Sequence, residues 1–173
     1  NIKKEETMTK EQYRSITQHA RRMAARLPFG AKAFSIPTYL CAAIYLGMLG
    51  LLILRRDSRL FRAALVPAGI FLLVTALRPM IHRQRPYDAF GVPPVGDSEP
   101  NKGKSMPSRH AASAAAISFA VMWVFPTLPV IVLMSALCLL VSALRVLTGK
   151  HYPSDVIAAL LLAGAISCLG YAV

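Results

Sequence analysis

Ala111 to Leu144, AASAAAISFAVMWVFPTLPVIVLMSALCLLVSAL, carries not one charged residue. A helix crosses the hydrocarbon core of a bilayer with about 20 apolar residues. This stretch is too long for one crossing and suits two. Pro126-Thr127-Leu128-Pro129 marks the turn between them, because proline removes a backbone donor and breaks a helix. The same pattern continues outward. Residues 33–54 are uncharged, broken mildly by Pro37 and Gly47. Ala63 to Leu77 is uncharged but short, and Arg62 and Arg78 extend it by snorkelling their head groups to the interface. Asp155 opens a last apolar run. The expectation is an all-α polytopic membrane helix bundle with about five transmembrane helices, near 33–54, 60–80, 108–125, 128–147 and 154–172. Residues 81–106 are polar and rich in Pro and Gly and read as a loop.

Composition agrees. Of 173 residues, 55% are hydrophobic and 16% charged, with mean hydropathy +0.48. Soluble domains carry about 25% charged residues. Lysine plus arginine outnumber acids 20 to 8, for a net charge of +12, which points to anionic partners. The apolar content excludes a disordered chain. Cys41, Cys138 and Cys168 are odd in number and sit inside apolar runs, which excludes a disulfide scaffold and a Cys-rich metal centre. Nucleic-acid binding would explain the charge but not the apolar runs. No internal repeat is visible, and the polar N-terminus does not read as a cleavable signal peptide.

The first 32 residues form a separate segment. Thr9 and Gln12 have capping-box spacing. Tyr13, Ile16, Ala20, Met23 and Leu27 then form an apolar stripe, surrounded by Arg14, Arg21, Arg22 and Arg26 and ended by Pro28 and Gly30. Residues 1–32 are expected to be an amphipathic helix in the membrane interface, its basic face toward anionic lipid head groups. The other reading is a helix packed on another subunit. Residues 33–173 are the expected transmembrane domain.

Ionisable residues at span ends are costly and tend to be functional. They fall into three groups: Arg78 with Arg85-Pro86, Pro107-Ser108-Arg109-His110, and Arg145 with His151 and Asp155. Counting spans puts all three on one face of the membrane. Arginine forks match phosphate oxygens. Ser108 stands at a helix N-cap position, which would aim backbone N–H groups at an anion. His151 and Asp155 are four apart, so a first-turn Asp155 could fix the imidazole tautomer and leave the other nitrogen free to attack. His110 could donate a proton to the leaving oxygen. On this face Asp88, Asp97, Glu99 and Asp155 are not paired at ligand spacing, and the arginines would repel a divalent cation. No metal or other cofactor is expected.

Taken together, Arg78-x6-Arg85-Pro86, Pro107-Ser108-Arg109-His110 and Arg145-x5-His151-x3-Asp155 resemble the three signature motifs of the type 2 phosphatidic acid phosphatase (PAP2) superfamily, Lys-x6-Arg-Pro, Pro-Ser-Gly-His and Ser-Arg-x5-His-x3-Asp. The resemblance covers roughly residues 60–170. It implies metal-independent phosphate ester hydrolysis through a phosphohistidine on His151, with His110 as acid and Arg78, Arg85, Ser108 and Arg145 as phosphate ligands. It also implies a lipid phosphate substrate: undecaprenyl diphosphate, phosphatidic acid or phosphatidylglycerol phosphate. Arg78 replaces the motif lysine, Leu144 the motif serine and Arg109 the motif glycine. Arg109 would either bind a second phosphate or pair with Asp88, Asp97 or Glu99 and pin the loop. Lys102 and Lys104 are a second phosphate contact or a solvated loop. Membrane members usually have six spans with the first motif ending the third; here it ends the second, and the N-terminal helix would stand in for the first span.

The cluster Arg55, Arg56, Arg59 and Arg62 reads as a cytoplasmic loop. That puts the site on the extracytoplasmic face of the plasma membrane, although the basic N-terminal helix, on the same face, pulls the other way. Two rival functions remain: a non-enzymatic lipid-phosphate binder or transporter, which would not need both histidines and the Asp, and a haloperoxidase-like oxidase holding vanadate, whose relatives are soluble.

Overall fold

The computed structural model describes residues 8–96 and 103–172. Among them the chain folds into α1 (Lys10–Arg26), a 3-10 turn (Gly30–Ser35), α2 (Ile36–Leu54), α3 (Arg59–Ile81), α4 (Pro86–Phe90), α5 (Arg109–Val124), α6 (Leu128–Leu147) and α7 (Pro153–Ala172). Gly30–Leu54, Arg59–Ile81, Leu128–Leu147 and Pro153–Ala172 are long and apolar enough to cross a membrane. α5 was the fifth expected crossing. Its 16 residues rise only about 24 Å at 1.5 Å each, short of the roughly 30 Å hydrocarbon core.

α5 is the central pillar, packed against α2, α3, α6 and α7. Its alanines explain this position. Alanine is the strongest helix former, and its small side chain lets neighbouring backbones approach closely. Ala111, Ala112, Ala116 and Ala120 are fully buried. Around them Ile70 and Val74 of α3, Val141 of α6 and Ala159 and Ala163 of α7 complete the core. Leu46, Leu65, Leu72, Leu139, Leu161 and Leu169 point outward, as lipid-facing residues do in a bundle whose solvent is hydrocarbon. At the far end from the motifs, Arg59 pairs with Asp57 at 2.7 Å and donates to the Val124 carbonyl at the end of α5. Arg55, Arg56 and Arg62 are exposed there.

α1 has the expected capping box. Gln12 N donates to Thr9 Oγ1 at 3.2 Å, and Thr9 N to Gln12 Oε1 at 2.9 Å. Its buried face differs from the expected stripe. Tyr13, Thr17, Ala20 and Ala24 are buried, while Met23 and Leu27 are exposed. The cause is close packing on the chain's own motif-bearing loops. Tyr13 Oη donates toward Val92 O and Gly149 O at 3.2 and 3.3 Å, and its ring lies 5.3 Å from that of Phe90. Thr17 returns its hydroxyl to Tyr13 O at 2.8 Å, so it can be buried without an orphaned donor. Arg21 donates to Pro93 O at 2.7 Å. Burial pushes the Tyr13 phenol upward, so it stays a neutral donor.

Residues 81–106 are not only a loop. Pro86 starts α4, with proline in the first turn where its missing N–H costs nothing, and Gly91 ends it at φ 64°. Asp97, Glu99 and Lys102 lie outside the described residues.

Candidate active site

Asp155, in the first turn of α7, is the hub of the motif face. It is fully buried. Its Oδ2 accepts from Ser105 Oγ at 2.5 Å and from Tyr152 N at 3.0 Å. Its Oδ1 accepts from Arg83 Nη1 at 2.8 Å. Its own carbonyl receives Ser108 N at 3.0 Å, which ties the start of α5 to the start of α7. His151 Nδ1 sits 3.5 Å from Oδ2 and has no shorter polar partner. That is long for a hydrogen bond, but such contacts tighten when substrate binds.

The end of α6 sets the position of His151. Its N–H donates to Arg145 O at 3.2 Å, and the chain turns through Gly149 at φ 73°. Burial pushes the His151 imidazole below its ordinary range, against the upward pull of Asp155. The ring is therefore neutral at neutral pH. With Asp155 accepting at Nδ1, the proton belongs there and the Nε2 lone pair is free.

The other motif residues converge on this pair. Arg78, in the last turn of α3, is buried and donates through Nη2 to Lys104 O. Arg85 precedes α4 and donates to Tyr87 Oη at 3.0 Å. Ser108 occupies the N-cap of α5, as expected, but its hydroxyl does not cap the helix. Arg78 Nε, Arg85 Nε and Ser108 Oγ are all buried without a partner. Arg78 is close enough to feel the charges of Arg109 and Arg85, Arg145 that of Arg85, and His110 those of Arg145, His151 and Arg109. Buried unpartnered donors and crowded like charges are each costly. Phosphate oxygens would offset both.

Beside the cluster lies a cavity of about 350 Å³ between α2, α3 and α5. Thr38, Cys41, Ala42 and Phe71 line it, with Arg109 and His110 at its polar end. Among the described residues Arg109 makes no ion pair, with Asp88 or any other acid. The Lys104 side chain is exposed, and this residue contributes its carbonyl to the cluster instead. Leu144, at the motif serine position, is buried and supplies no hydroxyl.

Two residues of the cluster carry no signal in the sequence reading. Arg83 sits in the spacer between Arg78 and Arg85, and Ser105 reads as an ordinary loop residue. Both meet Asp155, which is 72 and 50 positions away. The parallel backbone bridge between Arg83 and Lys104 brings them together.

Fold and site define a class, the integral membrane phosphoric ester hydrolases with a multi-pass helical scaffold. Within it the chain belongs to the PAP2 superfamily, whose family model matches residues 59–173. Two solved structures share its fold. One is the crystal structure of the first transmembrane PAP2 type phosphatidylglycerolphosphate phosphatase from Bacillus subtilis, 21% identical, with a TM-score of 0.70 over 94% of this chain and 84% of that one. The other is Aquifex aeolicus LpxE, 22% identical, with a TM-score of 0.71 over 94% of each chain. No curated protein matches the sequence.

Proposed function

We propose that the protein dephosphorylates a lipid phosphate or diphosphate through a phosphohistidine on His151, without a metal. The observation that carries the reading is the buried His151–Asp155 pair beside three buried donors without partners, Arg78 Nε, Arg85 Nε and Ser108 Oγ. His151 Nε2 attacks phosphorus, the bond from phosphorus to the lipid oxygen breaks, and His110 gives that oxygen its proton. Water then attacks the phosphohistidine, returns a proton to His110 and releases phosphate. Arg78, Arg85 and Arg145 hold the oxygens on which charge accumulates, each charge-assisted bond contributing about 1.5–3 kcal/mol. Asp155 holds the tautomer.

The apolar cavity next to Arg109 and His110 supports a lipid substrate, whose chain would enter there while its head group meets the arginines. The substrate class is undecaprenyl diphosphate, phosphatidic acid or phosphatidylglycerol phosphate. The site faces the extracytoplasmic side of the plasma membrane, on the strength of the 55–62 basic turn opposite. Arg109, with no acid partner among the described residues, is the contact for a second phosphate.

The test is phosphate release from a panel of these lipids by purified protein in detergent, with and without EDTA. Release is expected from at least one lipid and should survive EDTA. Activity abolished by EDTA and restored by one added metal would overturn the mechanism. Binding of the lipids without any release would favour a carrier on the same scaffold.

A further inference from the structure

Arg83 is none of the specified residues of the three sequence motifs, yet it is the best-held cation of the site. Its Nη1 donates to Asp155 Oδ1 at 2.8 Å and to Ser154 Oγ at 2.7 Å. The guanidinium carbon stands 4.3 Å from the centre of the Tyr152 ring, within cation–π range. Sulfur of Met106 lies 3.8 Å away on the same nitrogen. The backbone on either side is fixed as well, because Arg83 O accepts Ser105 N at 2.9 Å. Ser105 in turn holds the other carboxylate oxygen.

We infer that Arg83 is a positioning residue for the reaction: it locks the Asp155 carboxylate in the rotamer that faces His151 and supplies that carboxylate's counter-charge. The inference rests on the phosphohistidine reading above. The geometry separates Arg83 from the phosphate ligands. Arg78 and Arg85 each keep a buried Nε without a partner, whereas Arg83 is committed to α7 and to the segment that joins α6 to it. An isolated carboxylate would be costly to bury. Asp155 is fully buried and is tolerated because Arg83, Ser105 and Tyr152 N satisfy it. Without Arg83, Oδ1 loses its partner and the carboxylate can turn away from His151.

The test is steady-state kinetics of Arg83→Gln and Arg83→Lys against wild type, with His151→Ala alongside. Misplacing a reacting group by about 1 Å costs up to a hundredfold. Arg83→Gln should therefore lose about ten- to a hundredfold in kcat, with KM changed by less than about twofold, because no phosphate contact is removed. The acid limb of kcat/KM should also move to higher pH, since Asp155 then pulls on His151 without a counter-charge. Arg78, Arg85 and His110, the other charged or titratable groups facing His151, are unchanged in this variant. Arg83→Lys should keep the limb in place and recover part of kcat. A fall in kcat with the limb unmoved, a KM that rises in step, or wild-type kinetics would each overturn the inference. If Arg83→Gln does not fold, Arg83→Lys decides alone: a severalfold lower kcat supports it and full activity overturns it. Residual turnover in His151→Ala would instead overturn the phosphohistidine reading, whatever Arg83 does.

Discussion

Asp155→Asn replaces a carboxylate with an amide of nearly the same shape, and the contacts show why this cannot be neutral. All groups around Asp155 are donors: Arg83 Nη1 at Oδ1, and Ser105 Oγ, Tyr152 N and His151 Nδ1 at Oδ2. An asparagine offers one acceptor oxygen and one NH2 group. If its oxygen faces Arg83, the NH2 faces the Tyr152 N–H and the imidazole. His151 must then accept at Nδ1, which moves its proton to Nε2 and removes the attacking lone pair. If the amide is flipped, the NH2 faces the Arg83 guanidinium instead. Either orientation sets a donor against a donor, an unsatisfied buried group worth about 1–3 kcal/mol of stability. The catalytic loss should be larger. Where an aspartate fixes a catalytic histidine's tautomer, its amide variant loses about 10⁴ in kcat, and a fall of about 10³–10⁴ is expected here on the same ground. The assay is phosphate release per folded protein in detergent, paired with thermal unfolding of the same sample. A folded Asp155→Asn protein within about threefold of wild-type kcat would refute the tautomer argument, because that falls far short of the loss a misplaced proton causes.

Other expectations follow from other parts of the structure. Gly149→Ala places a Cβ at φ 73°, 2.5 Å from Tyr13 Oη; a left-handed non-glycine residue costs about 1–2 kcal/mol and each Tyr13 hydrogen bond about 1 kcal/mol, so the loss should total about 2–4 kcal/mol. Chemical unfolding in micelles checks this, and wild-type stability would mean that α1 does not clamp the turn before His151. Arg109→Gly restores the motif glycine and should weaken a lipid diphosphate roughly ten- to a hundredfold while sparing monophosphates; equal losses on both would assign Arg109 to holding the 81–106 segment. Because burial holds the His151 pKa below the free imidazole value of about 6.5, its ring should be less than half protonated at about pH 6.5. Nitrogen-15 shifts of labelled histidine would show it, and a ring more than half protonated at about pH 6.5 would contradict the burial argument for a neutral nucleophile.

The bundle was legible because hydrocarbon allows few exceptions: uncharged runs and their proline breaks marked α2, α3, α6 and α7 to within a few residues. α5 was placed as closely, at Arg109–Val124, and its alanines explain the central position that hydropathy alone does not give. The cluster was legible because Arg78, Arg85, Arg145, His151 and Asp155 are ionisable residues at the ends of apolar helices, where charge needs a reason. Arg83 and Ser105 were hidden because they act across the fold through a bridge that no local pattern encodes. Periodicity placed α1 but misjudged its buried face. Thr17 and Ala24 are poor hydrophobic signals, yet Thr17, its hydroxyl self-satisfied, fits against the Gly149 turn, and Ala24 packs in a cluster with Val95. The cavity lined by Thr38, Cys41, Ala42 and Phe71 was hidden as well, because hydropathy cannot order those residues in space.

The most direct test is to trap the covalent intermediate. Wild-type protein mixed with lipid substrate carrying ³²P in its transferred phosphoryl group, and quenched in alkali within milliseconds, should carry label that is stable in base and lost in acid, as a phosphoramidate is. The label should map to the peptide containing His151 and be absent from His151→Ala. A wild-type enzyme that releases phosphate while never becoming labelled, or label retained in His151→Ala, would contradict the account.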